Sequence, residues 1–230
     1  MTIARLYVAG IIVVILGLMW LFIPQTYNSL LLEKIKEADS ESSEGSILET
    51  IPYGLIIVLT GLALIGISNK YERKTNLKIP YFTELASVLS ISAGLLHAAL
   101  ITDHFREWWG YGLFFIIVAM VQVSYGMIFL FQVRRHPRGV IKSKKSLEFL
   151  YVCGLAGNLF IIMLYIITRT IGIPFFGPEA GRVEDVSPID IFSKGLEIGL
   201  IVVVIYLMRF SYSMPENRKA DYNKFEYTKV

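Results

Sequence analysis

The feature that most constrains this chain is a series of six long apolar runs, at residues 5–23, 51–68, 82–102, 111–133, 149–171 and 191–208. Each run is close to the roughly 20 residues that a helix needs to cross the hydrocarbon of a bilayer. In that environment every backbone N–H and C=O must be paired within the chain, so each run predicts a helix. The expected fold class is all-α: a polytopic integral membrane protein with six transmembrane helices arranged as three hairpins.

The basic residues orient these helices. Sixteen of the 22 Lys and Arg residues lie at Arg5, in segments 70–78 and 134–145, and from residue 209 onward. Cytoplasmic loops carry such an excess, so both termini are expected in the cytoplasm of a multi-pass cell-membrane protein. The basic inner loops are expected to contact anionic lipid headgroups. The net charge of +3 gives no reason to expect nucleic acid as a partner.

The remaining segments complete the predicted organisation. Residues 1–208 form a single six-helix transmembrane domain, and residues 209–230 form a polar cytoplasmic tail. The domain includes an acidic outer loop at 24–50 and an outer lid at 172–190, where repeated Pro and Gly favour turns over helix. The only cysteine is Cys153, so redox chemistry by paired thiols is excluded.

A cluster of polar residues near the predicted outer end of the third helix is the strongest candidate site. His97 and His104 are seven residues apart, which places them on one helix face about 10 Å apart along the axis. Glu107 is three residues after His104, and Asp103 immediately precedes His104. Imidazole with carboxylate suits a transition metal such as Cu or Zn, although the sequence assigns no cofactor. The alternatives are a structural network of hydrogen bonds and a pH-responsive or small-ligand site.

Further polar residues accompany this cluster or lie deeper in the membrane. Lys194 and Glu197 have the i,i+3 spacing of an ion pair. The amides Gln122 and Asn158 lie near mid-membrane, where they are expected either to form hydrogen bonds between helices or to line a substrate path. The full supporting network is Arg169, Glu179, Glu184, Asp190, Lys194 and Glu197.

A haem held by two histidines of this chain is disfavoured. His97 and His104 share one helix, whereas axial ligands must face each other across the haem. The third histidine, His136, lies in a basic loop on the predicted opposite side. No nucleotide-binding or hydrolase motif is present either.

Two stretches resemble a group of small uncharacterised multi-pass membrane proteins of bacteria and archaea. The first is His97-x6-His104-Phe-x-Glu107-Trp108, and the second is Arg169-Thr-x-Gly172-x-Pro174, then Gly177-Pro178-Glu179-x-Gly181. The resemblance extends from the third to the sixth helix and brings no known activity. It implies that the two stretches belong to one site.

These observations favour a non-catalytic or accessory subunit of a membrane complex, whose outward-facing His and acid cluster is a candidate transition-metal site. Its partners would be other membrane subunits or further copies of the chain. One alternative is a transporter or channel for a small solute or ion, with a water-lined path through Gln122 and Asn158. The other is a redox subunit that holds a quinone or a metal.

Overall fold

The computed structural model describes residues 7–19, 44–72, 78–135, 144–172, 177–178, 180–183 and 186–213. Its helices are α1 (Tyr7–Met19), α2 (Glu44–Glu72), α3 (Lys78–Ala99), α4 (Ile101–Glu107), α5 (Trp109–Arg135), α6 (Lys144–Thr170) and α7 (Pro188–Ser213). The described ranges contain no β-strand, which confirms the all-α prediction for that part of the chain.

Five segments of the described chain are long and apolar enough to cross a membrane: Pro52–Tyr71, Pro80–Glu107, Trp109–Phe131, Ser146–Thr170 and Pro188–Phe210. They coincide with the last five predicted runs. The shorter apolar helix α1 lies within the first run, whose flanking residues are outside the described ranges. The count of six spans therefore stays a prediction, as does the location of the termini.

The helices extend beyond the predicted apolar boundaries. Helix α2 begins at Glu44, so the last part of the predicted 24–50 loop is helical, and residues 24–43 lie outside the described chain. Helix α7 includes the last residues of the predicted 172–190 lid and continues to Ser213, within the predicted tail. Hydropathy marks where the hydrocarbon ends, but the hydrogen bonds of a helix continue into the polar region until a breaker intervenes.

The chain divides into two compact units: Met1–Thr75 with Ile91–Val123, and Asn76–Ser90 with Ser124–Val230. In the first unit the backbones of α1 and α2 cross in contact, because a Cβ on Gly61 would lie 2.7 Å from the carbonyl oxygen of Gly10. Small residues at such crossings allow membrane helices to approach closely. Thr60 of α2 donates a 2.8 Å hydrogen bond to Ser92 of α3.

The second unit packs its helices through aromatic, aliphatic and hydroxyl contacts. Ser87 of α3 donates a 2.7 Å hydrogen bond to the carbonyl oxygen of Gly126 on α5. The rings of Phe82 on α3 and Tyr206 on α7 lie 4.2 Å apart between centroids. The core face of α7 carries Leu200, which is fully buried. The prediction of a single membrane domain is not decided by this division.

Candidate functional site

Both candidate histidines of the first unit lie against one aromatic ring. Helix α3 ends at Ala99, and after Leu100 the chain continues as α4, so the helical path extends beyond the predicted limit at residue 102. The ring centroids of His97 and His104 lie 5.6 Å and 3.8 Å from that of Phe115 on α5. The seven-residue spacing therefore places both imidazoles beside Phe115.

His104 has a defined ring orientation. Its Nδ1 lies 3.0 Å from the carbonyl oxygen of Leu100, one turn earlier. A carbonyl oxygen only accepts, so Nδ1 must carry a proton and donate; in the neutral ring Nε2 is then the acceptor. Metal-binding histidines often have this arrangement, in which one ring nitrogen is fixed by a carbonyl.

The carboxylates of the cluster do not complete a metal site in the described chain. Asp103 pairs with Arg106 at 3.5 Å and accepts a long 3.5 Å hydrogen bond from the Tyr53 hydroxyl. Glu107 is exposed at the end of α4. Among the described residues, no group of three or more His, Cys, Asp or Glu side chains is arranged to hold a metal ion. Glu179 and Glu184, two of the predicted supporting acids, lie outside those residues.

A turn of one residue, Trp108, joins α4 to α5. Trp108 is in an extended conformation, and its ring occupies the position where Gly110 would carry a Cβ. The ring of Phe105 occupies the corresponding position at Gly112. Glycine is required at both sites because the two rings pack directly on the start of α5. Trp109 is 62% exposed, as an aromatic anchor at a membrane interface would be.

Four charged residues of the second unit pair near the end of α6 and the start of α7: Arg169 with Asp190, and Lys194 with Glu197. Arg169 Nη2 lies 3.0 Å from a carboxylate oxygen of Asp190. The same oxygen accepts a 3.0 Å hydrogen bond from the backbone N–H of Ser187, whose hydroxyl oxygen accepts a 3.2 Å hydrogen bond from the N–H of Asp190. This reciprocal pair is a capping box, which begins α7 at a defined residue.

The second pair is buried within α7. Lys194 Nζ donates to both carboxylate oxygens of Glu197, at 2.8 Å and 2.7 Å, as the i,i+3 spacing predicts. The side chain of Glu197 is 0% exposed. Tyr165 of α6 lies between the two cations, with its ring centroid 5.0 Å from Arg169 and 5.3 Å from Lys194.

Tyr165 and Ser187 were not among the residues singled out from the sequence. The Ser187-x-x-Asp190 spacing is a readable capping signal. Tyr165 is one turn before Arg169, but nothing in the sequence indicates that its ring also contacts a cation of α7.

Three glycines in the described part of the predicted 172–190 lid have a left-handed backbone conformation. Gly172, Gly177 and Gly181 all have positive φ, at 109°, 86° and 82°. A Cβ on Gly172 would lie 2.6 Å from the carbonyl oxygen of Gly181, so the backbones of these two residues are in contact. Only glycine combines that backbone conformation with so close an approach.

The two predicted mid-membrane amides are both buried. Asn158 Nδ2 donates a 2.8 Å hydrogen bond to the carbonyl oxygen of Gly154 in its own helix, whereas a bond between helices was expected. The difference arises because an amide side chain can reach the carbonyl one turn earlier, and here Gly154 leaves that carbonyl accessible.

His97, Asp103, His104, Glu107 and Gln122 belong to the first unit, whereas Arg169, Asp190, Lys194, Glu197 and Asn158 belong to the second. Whether the two groups form one site therefore stays a prediction. No protein-family model, curated protein or solved structure matches the chain. The resemblance to a group of small membrane proteins likewise stays a prediction.

Proposed function

We propose that this chain is a non-catalytic subunit of a membrane complex, with six membrane spans and both termini in the cytoplasm. The distribution of basic residues supports the orientation. The apolar helix α1 supports a sixth span, because it lies inside a run long enough to cross the bilayer. The polar clusters then lie at the outer ends of the helices.

The observation that carries this proposal is the buried pair of Lys194 and Glu197. A fully buried carboxylate that accepts two hydrogen bonds from the preceding turn is neutralised by its own helix. Arg169 and Asp190 are paired in the same way, through the cap of α7. The Arg169–Asp190 pair joins α6 to α7, whereas the Lys194–Glu197 pair lies within α7 and contacts α6 through the Tyr165 ring. Their geometry is that of structural elements, and it presents no nucleophile to a substrate.

A role within a complex is supported by the surface of α6. Only 17% of its most apolar window is buried against the rest of the chain, compared with 50% for the Pro80–Glu107 segment. Gly157 on α6 faces open space, and Cys153 is exposed one turn earlier. Small residues at this spacing allow another helix to approach closely.

The burial of Gln122 and Asn158 weighs against the transporter alternative, because a water-lined path through the amides would leave them accessible. The metal hypothesis draws its support from His104 alone, whose Nε2 is oriented as an acceptor. One oriented imidazole is fewer than the three protein ligands that a zinc site usually has. We therefore expect equal metal content in purified wild type and H104A, measured by elemental mass spectrometry.

Photo-crosslinking from the native cysteine tests the subunit role. A benzophenone maleimide on Cys153, in native membranes, should yield a discrete protein adduct because α6 contacts a partner. The matched control is C153S/M120C, since Met120 is 65% exposed on α5. That variant should yield lipid adducts only. Lipid adducts alone from both positions would contradict a partner on α6.

A further inference from the structure

The α5–α6 pair of the second unit contains an aromatic cluster beside a glycine. The ring centroids of Tyr125 and Phe129 lie 4.9 Å apart, and those of Phe129 and Tyr151 lie 6.1 Å apart in a stacked arrangement. The Tyr125 hydroxyl occupies the position where Gly154 would carry a Cβ. Gly154 therefore allows a phenol of α5 to reach the backbone of α6.

Asn158 approaches the same glycine from the next turn. Its Nδ2 donates to the Gly154 carbonyl oxygen at 2.8 Å, so its carboxamide and the Tyr125 hydroxyl converge on one residue. Tyr125 is 9% exposed and Asn158 is 5% exposed. No group of the described residues forms a hydrogen bond with Tyr125 Oη or Asn158 Oδ1.

Two polar atoms buried in this way require a partner, because each unsatisfied group costs about 1–3 kcal/mol. The phenol is a donor, and Asn158 Oδ1 is an acceptor. A ligand hydroxyl has the chemistry that both atoms lack, because its oxygen accepts from the phenol and its proton can be donated to Asn158 Oδ1. A carbonyl ligand has no proton for Asn158, and an ammonium ligand has no lone pair for the phenol.

We propose that Tyr125 and Asn158 form a binding site for a hydroxyl group, supplied either by water or by a hydroxyl-bearing lipid. Both sources share the chemistry that the two side chains recognise. A lipid has a direct approach from the bilayer, because Cys153 and Gly157 of α6 are exposed beside the site and a Cβ on Gly157 would meet nothing within 4 Å. The same face of α6 is proposed above to contact a partner, so this lipid approach applies to the chain without that partner.

Two measurements on the full chain in phosphatidylcholine nanodiscs distinguish the sources. For water, infrared spectra in ordinary and heavy-oxygen water should reveal an O–H band that shifts with the isotope. For a lipid, mass spectrometry of organic extracts should reveal an equimolar hydroxyl-bearing species. Whichever of these two signals the wild type gives should be lost in Y125F and in N158L. It should persist in Y151F, which removes a hydroxyl from the same aromatic cluster.

If N158L does not fold, Y125F still tests the proposal. This variant removes one oxygen and leaves the ring contacts with Phe129 and Gly154 in place. Wild type with neither signal would overturn the proposal. So would a signal that survives Y125F, because the phenol is then not a ligand. If Tyr125 and Asn158 instead formed a hydrogen bond directly with each other, the wild type would give neither signal.

Discussion

Replacing Lys194 with Met tests whether the buried ion pair is structural. Lys194 Nζ lies 2.7 Å and 2.8 Å from the two carboxylate oxygens of Glu197, which is 0% exposed. Without the ammonium, the carboxylate loses its bidentate partner in a site that water does not reach. Breaking a buried pair in this way typically costs about 3–5 kcal/mol, so we expect K194M to lower the free energy of unfolding by that amount.

The chain offers a matched control with the same i,i+3 spacing. Asp103 and Arg106 lie 3.5 Å apart, but their side chains are 42% and 66% exposed. Solvent screens this pair, so R106M should cost about 0–1 kcal/mol. Both variants remove one cation from a pair of adjacent helical turns, so they differ chiefly in burial and in the contact of Lys194 with the Tyr165 ring.

Unfolding by SDS titration in mixed micelles, followed by far-UV circular dichroism, would measure both variants. Replacing both charges in K194M/E197L should recover most of the loss, because an apolar pair of similar volume needs no counter-charge. The reasoning would be refuted if K194M and R106M differed by less than about 1 kcal/mol. It would also be refuted if the double variant were as unstable as K194M.

Three further predictions concern two glycines, the cap of α7 and the orientation of the chain. In the isolated chain, the methyl group of G112A meets the ring of Phe105 and should cost about 1–3 kcal/mol. The methyl group of G157A points into open space there and should be neutral or stabilising by up to about 1 kcal/mol. Equal effects of the two variants in the same unfolding assay would contradict the contact with Phe105. S187A removes the cap of α7 and should cost about 1 kcal/mol, and an unchanged stability would show that the capping box is dispensable. A fluorescent protein fused after Val230 should fluoresce, and alkaline phosphatase fused at the same place should be inactive, because the basic tail is predicted to be cytoplasmic. Active phosphatase would contradict this orientation.

The positions of the long helices could be predicted from the sequence because the thickness of the bilayer sets a minimum apolar length. Their ends could not, because hydropathy changes at the edge of the hydrocarbon whereas a helix continues until its hydrogen bonds stop. Helix α2, which begins at Glu44 before its apolar run, is one example. The end of α4 at Trp108 is another example, because it depends on the rings of Trp108 and Phe105 packing on Gly110 and Gly112.

The candidate site shows a similar division between local and tertiary information. The pairing of Lys194 with Glu197 is local, so the i,i+3 spacing predicted it. The shared contact of His97 and His104 with Phe115 is tertiary, and a spacing on one helix does not indicate which ring the other helix supplies. The same limit applies to Tyr165, which contacts cations from two helices.

The most direct test of the central claim, that this chain acts as a subunit of a membrane complex, is the intact mass of the particle it forms. Native mass spectrometry of the tagged chain, released from its own membrane in lipid nanodiscs, would provide that mass. We expect a single assembly of defined stoichiometry that is heavier than the 26.1 kDa chain, and we expect G157F on α6 to dissociate it. A 26.1 kDa monomer as the only species in the wild type would contradict the account.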